Sequence, residues 1–366
     1  MPDSDAPKMH KGFCNRKGKL MITLGDRGQI RVGELENVER PSEMAENVGA
    51  GLLARPKDLS PWPKYFYDEK GSRLFEEITA LPEYYQTRTE LSILRDRAPE
   101  IVARTRCREL VELGSGSARK THALLDAMTT SFPKDPVRYV PLDVSENALV
   151  SSATRLLKEY PALEISGFIG DFDHSLGGLL AYPQSTDETR TGDSERLVAF
   201  LGGTIGNLTP ERRQFFLKRL RALLQEGDHL LVGVDLVKDA RLLEAAYDDA
   251  AGVTARFNKN LLNILNRKLG GGFDPTLFDH RAVYNVQATR IEMWLDSKVA
   301  HKVPLAALRL EVPFEAREGI RTEISAKFTR PTVEHMLEEA GFILTGWYTD
   351  EGELFGLALG SVGAPP

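Results

Sequence analysis

Five apolar runs of strand length, at residues 110–113, 137–142, 164–169, 197–201 and 229–234, constrain this chain most, because a glycine or an aspartate follows each at once. The followers are Gly114, Asp143, Gly170, Gly202 and Asp235. Helical or polar stretches separate the runs. Strands in such alternation argue for an α/β fold with a parallel, doubly wound sheet. Ligands of these sheets bind beyond the carboxyl ends of the strands, where these residues lie.

The most informative junction is Glu112-Leu113-Gly114-Ser115-Gly116-Ser117-Ala118-Arg119-Lys120-Thr121, which leads into a helical pattern at 121–128. Glycine lets the backbone turn sharply and approach a ligand where a Cβ would clash. Neither G-x-x-x-x-G-K-[ST] nor a full G-x-G-x-x-G is present, which weakens a phosphate reading. The E-x-G-x-G turn suits a nucleoside without a diphosphate, a description that S-adenosylmethionine meets. A plain tight turn is the competing reading. Asp143, roughly 20–30 residues on, is placed either to accept from both ribose hydroxyls or to cap the helix that starts near Ser145. In Gly170-Asp171-Phe172 an acid able to accept from an exocyclic amine adjoins an aromatic able to cover a purine face. The fourth run leads into Gly202-Gly203-Thr204-Ile205-Gly206-Asn207-Leu208.

A length of 366 residues exceeds one compact α/β unit and predicts two domains. A net charge of −6 without a Lys/Arg tract argues against nucleic-acid binding. No apolar stretch approaches the ~18–20 residues that span a bilayer. Residues 1–19 lack the apolar core of a signal peptide. Cys14 and Cys107 are too few for a disulfide framework, so a reducing cytoplasm is the simplest setting. Neither they nor the seven histidines show metal-ligand spacing, and no metal is expected.

Residues 1–40 show little apolar periodicity and read as a mobile extension. An aromatic segment with a short helix at 72–79 follows. Next comes a helix at about 87–104, which Pro99 is expected to kink or split. Residues 182–196 read as a loose surface loop. After Asp235 the pattern changes. Helices are expected at 238–247 and 254–269, extended stretches at 281–295, 307–314 and 322–329, and a helix at 331–340. Closing runs at 342–348 and 354–359 suit an antiparallel edge hairpin. Residues 238–326 therefore read as an insert that, with the N-terminal aromatic segment, forms a lid over the strand ends.

Several long strings identify a resemblance over about residues 65–360. They are YDEKGSRLFEEITALPEYYQTRTE at 67–90, ELGSGSARKT at 112–121, FLGGTIGNL at 200–208, TARFNKNLLNILNRKLGGGFD at 254–274 and RTEISAKF at 321–328. The chain resembles the histidine-specific methyltransferases of ergothioneine biosynthesis, the S-adenosylmethionine-dependent L-histidine Nα-methyltransferases that make hercynine by adding three methyl groups. Gly203 and Ala118 depart from the family pattern inside these strings. The resemblance implies a Rossmann-like class I methyltransferase core at 87–237 and 327–366. It implies a substrate-binding domain made of 41–86 and the insert 238–326, and a monomer.

By resemblance, Gly114 and Lys120 hold the methionine part of S-adenosylmethionine, Asp143 the ribose, and Asp171 and Phe172 the adenine. Asn207 resembles the residue that holds the histidine α-amine, and Tyr84 and Tyr247 the tyrosines around amine and carboxylate; these three are the catalytic candidates. Glu323 and Ser325 resemble the pair that grips the imidazole. They are two apart on an expected strand and so share a face. An anion and a hydroxyl can meet both ring nitrogens, whereas an indole offers one donor. Met293, a substrate-binding candidate, and Phe257 are placed to line the site; the competing readings are core positions for both, a turn role for Asn207, Tyr85 in place of Tyr84, and a rim salt bridge for Glu323. Competing functions are N-methylation of an indole-type amine, the methyltransferase unit of an ovothiol-type enzyme, and a catalytically silent binding protein.

Overall fold

The computed structural model describes residues 10–13, 19–24, 28–34, 41–181 and 195–363. Its central sheet has ten strands, in the spatial order His10–Phe13, Lys19–Leu24, Gly28–Glu34, Glu164–Ile169, Arg138–Asp143, Glu109–Leu113, Arg196–Phe200, His229–Asp235, Phe355–Val362 and Phe342–Thr349. Neighbours from Gly28–Glu34 through His229–Asp235 run parallel. The expected closing hairpin forms the antiparallel edge, with Phe355–Val362 against His229–Asp235. Every residue of Glu109–Leu113 and Arg196–Phe200 is buried, as strands covered on both faces require. One face packs Ile93, Leu94, Leu124 and Leu156. The other packs Leu176, Phe216, Leu217 and Val333.

Two expectations change here. Residues 1–40 do not stand wholly outside the fold. The described stretches form three strands, the last pairing in parallel with Glu164–Ile169. Their sequences alternate only weakly (Leu20, Ile22, Leu24; Ile30, Val32), because Met21 makes the first an apolar run and the second offers only two alternating positions. Pro99 does not split its helix, which runs unbroken as Tyr85–Thr105. Arg95, whose carbonyl loses its donor to the proline, and Pro99 itself are both exposed, so water can replace the missing bond. Most of the expected loop at 182–196 lies outside the described residues.

The remaining residues build a second apolar cluster. It joins Val48, Leu52 and Phe66 to Leu243, Phe257 and Ile320. A four-stranded sheet accompanies it, in the order Phe278–Asn285, Arg290–Ser297, Gly319–Ala326, Lys57–Asp58. The stretch expected as one extended run at 281–295 is thus a hairpin. The helix Val253–Leu269 ends at Gly270 with φ +60, a left-handed cap that glycine adopts without strain. Among the described residues no helix is long and apolar enough to cross a membrane.

Candidate active site

The carboxyl ends of the core strands and the second cluster enclose one cavity of about 1090 Å³. The glycine turn forms its floor. Gly114 N–H donates to Leu142 O at 2.8 Å, and Gly116 N–H donates to an oxygen of Asp143 at 2.7 Å. Gly114 and Gly116 have φ of +78 and +49, and a Cβ on either would meet nothing within 4 Å. The turn is therefore an open, concave backbone surface, which fits a nucleoside lying across it.

The other Asp143 oxygen accepts from Ser145 N–H at 2.8 Å. Ser145 caps the helix Glu146–Glu159, accepting from Ala148 N–H, so the capping role falls to Ser145. Asp143 is left at the cavity wall. Burial raises its carboxyl pKa despite the backbone donors. Asp171 caps the helix Phe172–Leu180 and pairs with Lys64 at 3.0 Å. Burial opposes its charge, yet Lys64 and His174 hold it below the ordinary carboxylate range. Phe172 lines the cavity and packs edge-on against Phe200 and Phe216. Lys120 also lines it, with Nζ 2.6 Å from Glu90. Both oxygens of the fully buried Glu90 accept from Gly202 N–H at 2.9 Å. Sequence reasoning missed Glu90, an ordinary charged residue on a helix until the fold sets it between two strand-end loops.

The opposite wall carries the polar side chains of the second cluster. Tyr84 lines the cavity; Tyr85 lies behind it, donating to Asp235 at 2.8 Å and accepting from Lys238 at 2.7 Å. That geometry separates the two tyrosines, which spacing alone leaves tied. The rings of Tyr84 and Tyr247 lie 6.3 Å apart. Asn207 donates to Ile324 O at 3.0 Å. Glu323 and Ser325 flank Ile324 and both face the cavity, with Met293 opposite Glu323 in the sheet. Phe257 lines the cavity while stacking on Phe66 at 4.8 Å, so it serves the core as well. Glu323 is 8% exposed and is not a rim residue. Burial pushes its carboxyl up to about 7, against the charge of Lys327 and a hydrogen bond from Asn207.

Behind Ser325 lies a buried ion pair, Lys327 Nζ to Asp235 at 2.7 Å. Burial works against both charges, but each is held ionised by the other: Lys327 is raised above and Asp235 lowered below its ordinary value. Lys327 was not among the expected site residues, although its alternation with Glu323 and Ser325 in RTEISAKF was a usable signal. At the opposite end of the core strands, ligand atoms of Cys107, Glu195 and His229 come within 4.8 Å of one another. Spacing gave no sign of this group, because each residue comes from the start of a different strand.

A doubly wound sheet with an open glycine turn at its strand ends, roofed by a second unit with its own polar wall, is a Rossmann-like class I methyltransferase architecture. Residues 44–362 match the family described as histidine-specific methyltransferase, SAM-dependent, and the chain belongs to that family. Histidine N-alpha-methyltransferase of Mycolicibacterium smegmatis is 49% identical, covering 86% of this chain and 94% of that protein. The protein of the same name from Mycobacterium tuberculosis is 45% identical with the same coverage. Ergothioneine biosynthesis protein 1 of Schizosaccharomyces pombe is 30% identical over 83% of this chain and 40% of its own length.

Proposed function

We propose that this protein transfers three methyl groups from S-adenosylmethionine to the α-amino nitrogen of L-histidine, giving hercynine, the first step of ergothioneine biosynthesis. The observation that carries this reading is the placement of Glu323 and Ser325, a buried carboxyl and a hydroxyl, in the same cavity as the Gly114–Gly116 turn. Paired hydrogen-bonding groups reject analogues that cannot match them, which a purely apolar pocket does poorly. In this reading the two parts 41–86 and 238–326 act as the substrate-binding domain.

When bound, S-adenosylmethionine supplies an electrophilic methyl on a sulfonium that is already a good leaving group, so the chain need form no covalent bond. Gly114 and Lys120 orient the methionine end, Asp143 accepts from the ribose, and Asp171 with Phe172 meets the adenine. Asn207, Tyr84 and Tyr247 hold the α-amine in line with the methyl. Such alignment can contribute about 7–11 kcal/mol to the rate in favourable cases. The aromatic face of Tyr84 favours the cation that grows as methyls are added. The final product has no lone pair on nitrogen, which ends the series.

The test is mass spectrometry of L-histidine incubated with the purified protein and S-adenosylmethionine. A trimethylated product with every methyl on the α-nitrogen is expected. Methylation of a ring nitrogen, or of no atom, would overturn the reading.

A further inference from the structure

Lys327 donates to Ser325 Oγ at 2.8 Å, to Tyr247 OH at 3.1 Å, and to Asp235 at 2.7 Å. An ammonium has three protons and no lone pair, so all three are committed and their direction is fixed. Tyr247 OH in turn donates to Ser325 Oγ at 2.8 Å. Ser325 therefore accepts twice, which fills both lone pairs of a hydroxyl. Its one remaining capacity is its own proton, and Ser325 faces the cavity. The Lys327 side chain is fully buried and does not reach the cavity.

We infer that Lys327 is a positioning residue that sets the polarity of the ring subsite: it forces Ser325 to be a hydrogen-bond donor, so the subsite takes a neutral imidazole through its lone pair and rejects the imidazolium. This rests on the histidine reading above. Glu323 then meets the ring N–H and Ser325 the unprotonated nitrogen. An imidazolium would set its N–H against the Ser325 proton. The charged and titratable groups around the relay are Asp235, Lys238 and Tyr85 behind it, Glu323, Tyr84 and Tyr67 in front, and Tyr284, whose hydroxyl feels the Lys327 charge. Glu323 titrates in its own right, so the pH profile of histidine alone mixes two effects.

The experiment separates them by comparing histidine with 1,2,4-triazol-3-yl-alanine, which keeps one N–H and a lone pair but stays neutral in mildly acidic solution. Titration of Glu323 and of the α-amine affects both substrates. The ratio of kcat/KM for histidine to that for the analogue is expected to fall about tenfold per pH unit below the ordinary imidazole value of about 6.5. Lys327→Met frees Ser325 to accept, and Ser325→Ala removes the donor; both are expected to flatten the ratio. A ratio independent of pH in the parent enzyme would overturn the inference while leaving histidine methylation intact. So would an unchanged slope in either variant. If Lys327→Met does not fold, the parent and Ser325→Ala decide. Absence of any histidine turnover would instead sink the functional reading itself.

Discussion

Asn207 donates its side-chain amide to the backbone carbonyl of Ile324 at 3.0 Å, and so ties a strand-end loop of the methyltransferase sheet to the strand that carries Glu323 and Ser325. The bond crosses from the core sheet to the four-stranded sheet at the cavity. In the proposed reading it sets the spacing between the methyl donor and the ring subsite at Glu323 and Ser325. A misplacement of about 1 Å between reacting groups can cost about 100-fold in rate.

Asn207→Ala should therefore harm turnover more than cofactor binding. It leaves the Ile324 carbonyl without its donor and takes a hydrogen bond from Glu323. Stranding such a group costs about 1–3 kcal/mol. The expected fall in kcat/KM for histidine is about 5- to 150-fold at that cost. Titration calorimetry with S-adenosylhomocysteine should give a nearly unchanged Kd, and an equal loss in both would contradict the assignment.

Glu323→Ala should raise the KM for histidine far more than that for S-adenosylmethionine. A hydrogen bond to a charged group contributes about 1.5–3 kcal/mol, or about 10- to 150-fold. Steady-state kinetics with each substrate varied in turn decides it. Parallel increases in both KM values would remove Glu323 from the ring subsite.

The same carboxyl has a cost for the folded state, with a definite sign. Its value of about 7 lies above the ordinary 4.5. Native protein then holds a proton that the unfolded chain releases, so this contribution to stability is full below about 4.5 and is lost as pH rises through about 7. Glu323→Gln carries no charge at any pH. It should melt above the parent at pH 8, by an amount worth up to a few kcal/mol at about 1.4 kcal/mol per pH unit, and the gap should close toward pH 4.5. Scanning calorimetry at the two pH values checks this. A variant less stable than the parent at pH 8 would show that the buried anion is already compensated.

Glu90→Ala strands Lys120 and the Gly202 N–H together. Breaking a buried pair from one side costs about 3–5 kcal/mol, and the lower end is expected because Lys120 keeps access to water. Chemical denaturation should show the loss, with cofactor affinity falling as the two loops relax. Full stability in Glu90→Ala would mean that the pair only decorates the site.

The parts of this molecule that were legible in its sequence are those whose physics is local. Glycines and acids at the ends of apolar runs marked the cofactor side, and the two-residue spacing of Glu323 and Ser325 marked a common face. The choice between Tyr84 and Tyr85 was not legible. Tyr84 precedes the helix Tyr85–Thr105 and Tyr85 begins it, so their directions depend on how that helix docks. Glu90, Asp235 and Lys327 owe their roles to partners more than 90 residues away or on other elements, Glu90 reaching Gly202 and Asp235 reaching Lys327. Nothing in a run of sequence reports such a pairing. The Cys107, Glu195 and His229 group was hidden for the same reason.

The most direct test of the central claim offers the purified protein all twenty amino acids in one equimolar mixture with S-adenosylmethionine and follows each by mass spectrometry. Histidine should disappear alone, with trimethylated histidine accumulating in its place. Methylation of tryptophan or another amine, with histidine untouched, would contradict the account and detach Glu323 and Ser325 from the role given to them here.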